Sequence, residues 1–254
     1  MVPSRPFGGP DGTRSFCAVK PIAVLQYHAH DGAGFFGEHL RARGIALRVF
    51  ELCNGHAAPG TLDSFRGLCL LGGPMSVNDD WGALRDSERL FLEALRTDVP
   101  VIGHCLGGQL MSRALGGQVQ AAACAEIGWS QIRALDHPLS WHWFGRQSFP
   151  MFQWHNETFS VPAGAELIAT GEHCRHQAFA IGSLHVGLQF HCEINRPKID
   201  LWLTDEGSGD IDRHAASPAV QPREAIRMAT GQWLAQAQQT AAHLYDRWLE
   251  RLAL

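Results

Sequence analysis

The most informative stretch of the sequence is Val99-Pro-Val-Ile-Gly-His-Cys-Leu-Gly-Gly-Gln-Leu-Met-Ser-Arg-Ala-Leu-Gly-Gly117. Its apolar, β-branched beginning is typical of a buried strand, and a helical pattern follows that ends at paired glycines. Cys105 stands where the two meet, between Gly103 and Gly107, on a predicted strand-to-helix turn. Such a turn leaves one side chain accessible, and the positive end of the next helix favours a thiolate and an anionic intermediate. Cys105 is therefore a candidate nucleophile, and a structural cysteine in an ordinary strand–turn–helix unit is the alternative.

Predicted strands and helices alternate before this stretch. The predicted strands there are Pro21–Gln26, Ile45–Phe50 and Phe65–Leu71. One helix is predicted to end near Gly44 and another to span residues 81–97. This alternation predicts an α/β fold with a three-layer, mostly parallel sheet, whose sites form at the carboxyl ends of strands. The glycine-rich loop at 72–78 and Cys105 both follow such ends, so we expect them to be neighbours.

The pattern changes after the central stretch. Between Gln118 and Val186 we expect shorter strand-like pieces separated by many turns. The clearest pieces are Glu126–Trp129, Phe152–Phe159 and Gln177–Ile181. A further buried strand is predicted at Leu188–Phe190, followed by a polar loop at 207–222 and a largely helical segment at 223–254.

These features predict one main domain with an appendage at each end. Residues 1–20 are expected to form a loose polar tail, because they contain no apolar region typical of a signal peptide. The main domain is expected to span residues 21–195, and residues 196–254 to form a helical extension packed on the same domain.

The amino-acid composition limits which partners the protein can be expected to bind and indicates its cellular compartment. The 254 residues carry a formal net charge of -4 and no basic run, which argues against a nucleic-acid partner. No apolar run approaches the roughly 20 residues needed to cross a bilayer, so no membrane partner is expected. The seven cysteines lack the spacing of a disulfide framework and indicate free thiols, so we predict a cytoplasmic protein.

A second set of residues can complete a cysteine-based site. A cysteine nucleophile requires a base and a third group that orients the base. His191 and Glu193 provide both residue types, since residues two apart in an extended segment point to the same side. The alternative is a satisfied core histidine beside a carboxylate at a helix start. The backbone N–H groups of Leu106 and Gly73 are the predicted oxyanion donors, with an ordinary turn at Gly73 as the alternative.

Three motifs, in this order, resemble those of the class I glutamine amidotransferase family, whose Cys-His-Glu triad releases ammonia from glutamine. The motifs are Leu71-Gly-Gly-Pro-Met-Ser-Val-Asn78, Gly103-His-Cys-Leu-Gly-Gly-Gln109 and Gly187-Leu-Gln-Phe-His-Cys-Glu193. The resemblance extends over about residues 22–194 and implies a flavodoxin-like fold. It is greatest to the stand-alone, GMP-synthase-like branch, which also shows Glu-Ile-Gly-Trp (here 126–129) and Trp-His-Asn-Glu-Thr-Phe (here 154–159).

The resemblance implies a role for each motif. Cys105 would be the nucleophile, His191 the base and Glu193 its orienting partner. Gly73 and Leu106 would form the oxyanion hole. The residues implied to help hold the glutamine are Gln109, Trp154 and His155.

The sequence departs from the family at Cys192, which stands where the family usually has proline between the catalytic histidine and glutamate. Because proline restricts φ, its absence predicts that His191 is held less firmly, while alternation predicts that Cys192 points away from the triad. His104 stands where a small or apolar residue is usual, and we interpret it as structural. The histidines near Asp31 and at 173–176 lack the spacing of a zinc site, so we predict neither a metal nor another cofactor.

The predicted reaction is hydrolysis of the side-chain amide of glutamine to glutamate and ammonia, through a γ-glutamyl thioester on Cys105. The sequence contains neither a pyrophosphatase loop of the form Ser-Gly-Gly-x-Asp-Ser nor a kinase loop of the form Gly-x-x-x-x-Gly-Lys-Ser/Thr, the motifs that bind ATP to activate an acceptor. A synthetase activity would therefore come from a separate ATP-using subunit. One alternative is a γ-glutamyl peptide or amide hydrolase with the same triad. The other is a non-catalytic regulatory module.

Overall fold

The structure, a computed structural model, describes residues 19–252, except for the side chains of residues 205–208. Most of the predicted tail at 1–20 therefore lies outside the described residues. The strands are β1 (Ile22–Gln26), β2 (Leu47–Glu51), β3 (Gly67–Leu70), β4 (Val101–His104), β5 (Val119–Ala134), β6 (Ser148–Phe159), β7 (Glu166–Thr170), β8 (Ala178–Ile181), β9 (His185–Leu188) and β10 (Ala219–Val220). The helices are α1 (Gly34–Ala42), α2 (Gly82–Thr97), α3 (Leu106–Ala114), α4 (Pro138–Phe144), α5 (Arg196–Trp202), α6 (Asp205–Arg213) and α7 (Arg223–Leu249), with a short 3-10 helix at Leu52–Asn54.

The strands of the described chain form one ten-stranded sheet. Its order is β10-β5-β7-β8-β9-β4-β3-β1-β2, and β6 pairs with β5 outside this path. The central strands β2, β1, β3, β4 and β9 are parallel neighbours, whereas β9, β8, β7, β5 and β6 are joined by antiparallel pairs. The predicted α/β fold with a mostly parallel central sheet is confirmed.

Helices cover both faces of the parallel strands. In β1, Ile22 and Val24 belong to one core cluster, while Ala23 and Leu25 belong to the other. The first cluster includes side chains of α1 and α7, and the second includes side chains of α2 and α3. Because both faces are covered, every residue of β1, β3 and β4 is buried, which explains the continuous apolar runs in the sequence.

The region after α3 differs from the prediction of shorter strand-like pieces. It contains the long paired strands β5 and β6, with α4 in the connection between them. The pairing shifts register between Ala121 and Glu126, and Gly128 has a positive φ of 116° where the Gln221 side chain packs on its backbone. These irregularities interrupt the alternation of polar and apolar residues by which a long strand is predicted.

Two further predictions are wrong in their boundaries. Helix α6 occupies part of the predicted polar loop at 207–222, where glycines and acidic residues have low helix propensity. Contact with β6 compensates, since the indole of Trp154 donates a hydrogen bond to α6. The strand predicted at Leu188–Phe190 ends at Leu188 as β9, and His191 instead forms an isolated antiparallel bridge with Phe152.

Helix α7 packs along earlier elements of the fold. It contacts α1, α4, β5 and β6, and the ring of Trp248 lies 5.8 Å from that of Phe36 between centroids. The division into a domain at 21–195 and an extension at 196–254 stays a prediction. Within residues 19–252, none of the helices combines the length and the apolar character that a membrane crossing requires.

Candidate active site

The candidate nucleophile lies at the junction of β4 and α3. Cys105 has φ 48° and ψ -105°, a conformation that residues with a Cβ rarely adopt. Backbone hydrogen bonds hold it on both sides: its N–H donates to Leu188 O at 2.8 Å, and the Gln109 N–H donates to Cys105 O at 3.0 Å. The residue is 6% exposed and lines a cavity. This is the strained, accessible turn of a nucleophile elbow.

Two glycines allow the turn to be this tight. A Cβ on Gly103 would lie 2.6 Å from the carbonyl carbon of Gly107, and a Cβ on Gly107 would overlap the carbonyl oxygen of Leu70. The first turn of α3 therefore rests directly on the backbone of β3 and β4. This contact fixes the position of Cys105 above the sheet edge.

His191 and Glu193 form a buried, hydrogen-bonded pair. His191 Nδ1 donates to Glu193 Oε1 at 2.7 Å, and both side chains are almost fully buried. His191 lines the same cavity as Cys105. Its other ring nitrogen, Nε2, has no hydrogen-bond partner among the residues that the structure describes. The structure thus brings the three predicted triad residues together and leaves Nε2 for proton exchange.

The charges in this pair favour a protonated imidazole and an ionised carboxylate. Burial acts to lower the pKa of His191, but Glu193 and Cys105 outweigh it and raise the pKa to about 10. Burial acts to raise the pKa of Glu193, but Lys198 and His191 hold it well below its ordinary range. The surroundings of His191 therefore favour the imidazolium form, which can donate a proton.

Gly73 and Leu106 are neighbours beyond the carboxyl ends of β3 and β4. A Cβ on Gly73 would lie 3.1 Å from Leu106 Cδ2. Neither backbone N–H donates a hydrogen bond to another group in the described part of the chain. Both donors are thus available to a ligand, and their role as an oxyanion hole stays a prediction.

Gln109 and Trp154 both line the cavity. Gln109 Nε2 donates to Glu157 O at 3.2 Å and lies 3.4 Å from Gln189 Oε1, so it is anchored by its own neighbours. The carbonyl oxygen of Trp154 lies 3.9 Å from Cys105 Sγ, next to the position where a substrate would react. Contact of these two residues with glutamine stays a prediction.

His155 has a different setting, because both of its ring nitrogens are engaged within the protein. Nε2 lies 3.0 Å from Glu126 Oε2, and Nδ1 lies 3.0 Å from Glu157 O. Gln177 Nε2 donates to the same Glu126 oxygen at 2.8 Å. The ring of His155 therefore supports the wall of the cavity, and its predicted contact with glutamine stays untested.

Three side chains of the site are not identified by sequence reasoning. They are Gln189, Lys198 and Trp202. Gln189 Nε2 lies 3.7 Å from Cys105 Sγ, and the Trp202 ring packs edge-on against His191 with 4.9 Å between centroids. Lys198 donates a hydrogen bond to Glu193. Gln189 carries a signal because it lies within the third motif, whereas the other two lie on α5, beyond the motifs.

The cavity beside Cys105 has a volume of about 740 Å³. Its lining includes Trp154 and Trp202, which lie near Cys105 and His191, and also Arg213 and His214. Pockets of roughly 300–1,000 Å³ hold drug-sized ligands. This cavity therefore has more room than the side chain of a single glutamine needs.

Cys192 and His104 belong to a buried cluster beside α7. Cys192 Sγ lies 3.2 Å from Tyr245 Oη, and His104 Nε2 lies 3.3 Å from the same oxygen. Burial lowers the pKa of His104 to about 4, so its ring is neutral at neutral pH. The Cys192 thiol packs against α7, yet its sulfur stays within 4.8 Å of a carboxylate oxygen of Glu193.

Two buried groups in the described chain contain residue types that bind metals. They are His104–Cys192–Glu193 and Glu126–His155–Cys174. In the first group the ammonium of Lys198 already pairs with Glu193, and in the second the Glu126 Oε2 atom is engaged by His155 and Gln177. Hydrogen bonds and ion pairs account for these contacts, and the absence of a metal stays a prediction.

Known proteins resemble this chain in sequence and structure. Residues 37–200 match the model of the family described as glutamine amidotransferase class-I. The GMP synthase (glutamine-hydrolyzing) of Bacillus velezensis is 34% identical over 130 residues, covering 51% of this chain and 24% of that protein. One subunit of the GMP synthase (glutamine-hydrolyzing) of Saccharolobus solfataricus is 32% identical over 146 residues, covering 57% and 76%. The crystal structure of a glutamine amidotransferase from Methylobacillus flagellatus has a TM-score of 0.89 at 34% identity, covering 93% and 96%.

The extent of these matches differs. The aligned region covers about a quarter of the length of the Bacillus GMP synthase, whereas it covers most of the Saccharolobus protein and nearly all of the Methylobacillus chain.

Proposed function

The chain belongs to the class I glutamine amidotransferase family, and on this premise we propose that it hydrolyses the side-chain amide of glutamine to glutamate and ammonia. One observation carries the proposal. The strained Cys105 shares a cavity with a buried His191–Glu193 pair whose outer ring nitrogen is unpartnered among the described residues.

In the first half of the proposed reaction, Cys105 acts as a thiolate beside the His191 imidazolium, and its sulfur attacks the amide carbon of the substrate. The C–N bond then breaks as His191 Nε2–H gives its proton to the departing nitrogen, and ammonia leaves. A γ-glutamyl thioester remains on Cys105, and the imidazole is neutral. The raised pKa of His191 supports this step, because the ring holds the needed proton at neutral pH.

In the second half, the neutral imidazole accepts a proton from water as the water oxygen attacks the thioester carbon. The C–S bond breaks, glutamate leaves, and the thiolate–imidazolium pair is restored. Glu193 keeps its hydrogen bond to Nδ1 throughout and stabilises the imidazolium each time it forms.

Two backbone N–H groups are proposed to stabilise the oxyanion in both halves. Gly73 and Leu106 are neighbouring residues, and neither backbone N–H donates a hydrogen bond within the described chain. One such donor contributes about 3 kcal/mol to transition-state stabilisation in well-studied hydrolases.

A product assay tests this proposal. Purified protein is incubated with glutamine and, separately, with γ-glutamyl amides and peptides, and glutamate is measured together with the released amine. Glutamate and ammonia from glutamine are the expected result. Activity on the larger amides alone would replace the proposal by the γ-glutamyl hydrolase, and inertness toward all of them would favour a non-catalytic regulatory module.

The size of the cavity favours the γ-glutamyl peptide or amide hydrolase as the second candidate. The cavity of about 740 Å³ is also lined by Arg213 and His214 at the end of α6, and its volume would accommodate a leaving group larger than ammonia. The chemistry at Cys105 would be the same, with the amine of the leaving group accepting the proton from His191.

A separate ATP-using synthetase subunit is proposed as a partner if ammonia is passed on rather than released. The resemblance to one subunit of the Saccharolobus GMP synthase supports this idea. Affinity capture of the chain, followed by an ATP-dependent amination assay on the captured material, would test it.

The six cysteines of the described chain are free thiols, which supports the predicted cytoplasmic location.

A further inference from the structure

Glu193 has a second cationic partner besides His191. Lys198 Nζ donates to Glu193 Oε1 at 2.9 Å, the same oxygen that accepts from His191 Nδ1 at 2.7 Å. One carboxylate oxygen is thus shared by an imidazole and an ammonium, both of which are buried. Charge-assisted hydrogen bonds of this kind are roughly twice as strong as neutral ones and are sensitive to direction.

The fold holds Lys198 firmly in this position. It lies in the first turn of α5, where the side chain of Asn195 caps the helix by accepting from the Lys198 N–H at 3.0 Å. Its ammonium also donates to Gly32 O at 3.1 Å and forms an ion pair with Asp31 Oδ1 at 3.0 Å. The residue is only 6% exposed, so the ammonium is kept charged by these partners rather than by water.

An aromatic ring connects the lysine to the histidine. Lys198 Nζ lies 4.9 Å from the centroid of the Trp202 ring, and the same ring packs edge-on against His191, also at 4.9 Å. Both Lys198 and Trp202 are on α5, one turn apart. The helix therefore presents a charge to the carboxylate and an aromatic ring to the imidazole that this carboxylate orients.

Without the charge of Lys198, the two buried carboxylates Glu193 and Asp31 would outnumber the buried cations beside them. Glu193 and Asp31 are buried carboxylates, and burial penalises the ionised form of a carboxyl group. Lys198 is the strongest influence that opposes the effect of burial on the pKa of Glu193. A protonated Glu193 would no longer stabilise an imidazolium at His191.

We propose that Lys198 is a positioning residue for the reaction, which acts through Glu193 by keeping this carboxylate ionised and aligned with His191 Nδ1. This inference rests on the proposed function for its catalytic meaning, because Lys198 is assigned no contact with the substrate. Its consequence is that the working group is a chain of Cys105, His191, Glu193 and Lys198 rather than a triad.

The test measures how fast Cys105 is alkylated by iodoacetamide as a function of pH. Peptide mass spectrometry follows Cys105, and the half-exposed Cys53 and Cys124 provide internal references. Wild type is compared with Lys198→Met, which removes the charge, and with Lys198→Arg, which keeps it. Asp246→Asn is the matched control, since it removes ion-pair contacts with Arg43 and His39, residues that do not line the cavity.

We expect the alkylation profile of Lys198→Met to move to higher pH. At mildly acidic pH, Cys105 of this variant should react about tenfold more slowly than in wild type, which corresponds to roughly one pH unit. Lys198→Arg should recover most of the wild-type rate, and Asp246→Asn should follow the wild-type profile. Lys198→Gln, which keeps an N–H donor without the charge, should shift as Lys198→Met does and replaces it if the Met variant does not fold.

Identical profiles for wild type and the uncharged variants would overturn the proposal and leave Lys198 a merely structural role. The readout needs no substrate, so it is independent of the proposed function. If the alkylation profile of the uncharged variants shifts but the protein hydrolyses no γ-glutamyl compound, the positioning role of Lys198 is supported and the proposed reaction is contradicted. If the protein hydrolyses a γ-glutamyl compound but the uncharged variants show the wild-type alkylation profile, only the positioning role of Lys198 is contradicted.

Discussion

The molecule contains two buried glutamate–histidine pairs with closely similar geometry. His191 lies 2.7 Å from Glu193 beyond the end of β9, and His155 on β6 lies 3.0 Å from Glu126 on β5. All four side chains are at most 3% exposed. A short distance between carboxylate and imidazole therefore does not by itself distinguish a reactive pair from a structural one.

The surroundings of the two imidazoles distinguish them. His155 has its second nitrogen engaged by the carbonyl of Glu157, whereas His191 Nε2 has no partner in the described chain and shares a cavity with Cys105. The carboxylates differ as well. Glu193 is paired with the Lys198 ammonium, whereas Glu126 accepts from the neutral amide of Gln177. If the proposed function is right, the open ring nitrogen beside a thiol is the feature that makes the His191–Glu193 pair reactive.

The largest contrast is expected between the cysteines of the two regions. Cys105→Ala should lower kcat for glutamate release by about 10⁴-fold or more, because the nucleophile is lost. Cys174→Ala, which removes a buried thiol beside the Glu126–His155 pair, should leave kcat near the wild-type value. Steady-state glutamate release measures both. Full activity in Cys105→Ala would remove the basis for treating the two regions differently.

The second contrast compares the two carboxylates. Glu193→Gln should lower kcat by about 10²–10⁴-fold, because the amide no longer stabilises an imidazolium. Glu126→Gln should destabilise the fold by about 1–3 kcal/mol through a poorly paired amide, with little change in kcat. Turnover and denaturant unfolding are measured on both variants. A comparable loss of kcat in the two variants would mean that the pairs are functionally alike.

The third contrast uses two glycines whose added Cβ would meet similar contacts. A Cβ on Gly72 would lie 3.0 Å from His191 Cε1, and one on Gly171 would lie 3.0 Å from Gln177 Nε2. Gly72→Ala should displace the imidazole slightly and lower kcat by about tenfold, since small misplacements of reacting groups are costly. Gly171→Ala should keep kcat within about twofold. Equal effects on kcat would show that the position of His191 is not critical.

The smallest contrast is a difference in the pH dependence of stability. Because the pKa of His191 is raised to about 10 from the ordinary 6.5, its contribution is fully present below pH 6.5 and is lost as the pH rises toward 10. The unfolding free energy of wild type should therefore fall across this window by roughly 1 kcal/mol or more relative to His191→Gln. Denaturant titrations of both proteins at a series of pH values measure it. Parallel curves would mean that the folded state does not hold this proton.

Much of the site follows from the sequence because its parts are local. Gly103 and Gly107 mark the tight turn that carries Cys105, and the spacing of His191 and Glu193 places two side chains on one side of an extended segment. The parallel strands are predictable because helices cover both of their faces, which requires continuous apolar runs.

Other features depend on tertiary partners that no local pattern contains. Lys198 is one lysine among several charged residues on a short helix. It follows Glu193 by five residues, but only the folded chain brings both of them to Asp31. The alternation on β6 does not reveal that the His155 ring contacts Glu126 on the neighbouring strand. Helix α6 forms despite its glycines, and a tertiary hydrogen bond from the Trp154 indole to Asp210 is one of the contacts that hold it.

The most direct test of the account is to identify the covalent intermediate. The protein is mixed with glutamine, or with the γ-glutamyl amide that it turns over best, quenched with acid during turnover and mapped by peptide mass spectrometry. The account predicts one glutamyl group on the peptide that contains Cys105, and none on the peptide of Cys174 or Cys192. Turnover without a glutamyl group on Cys105, or with that group on another cysteine, would contradict it.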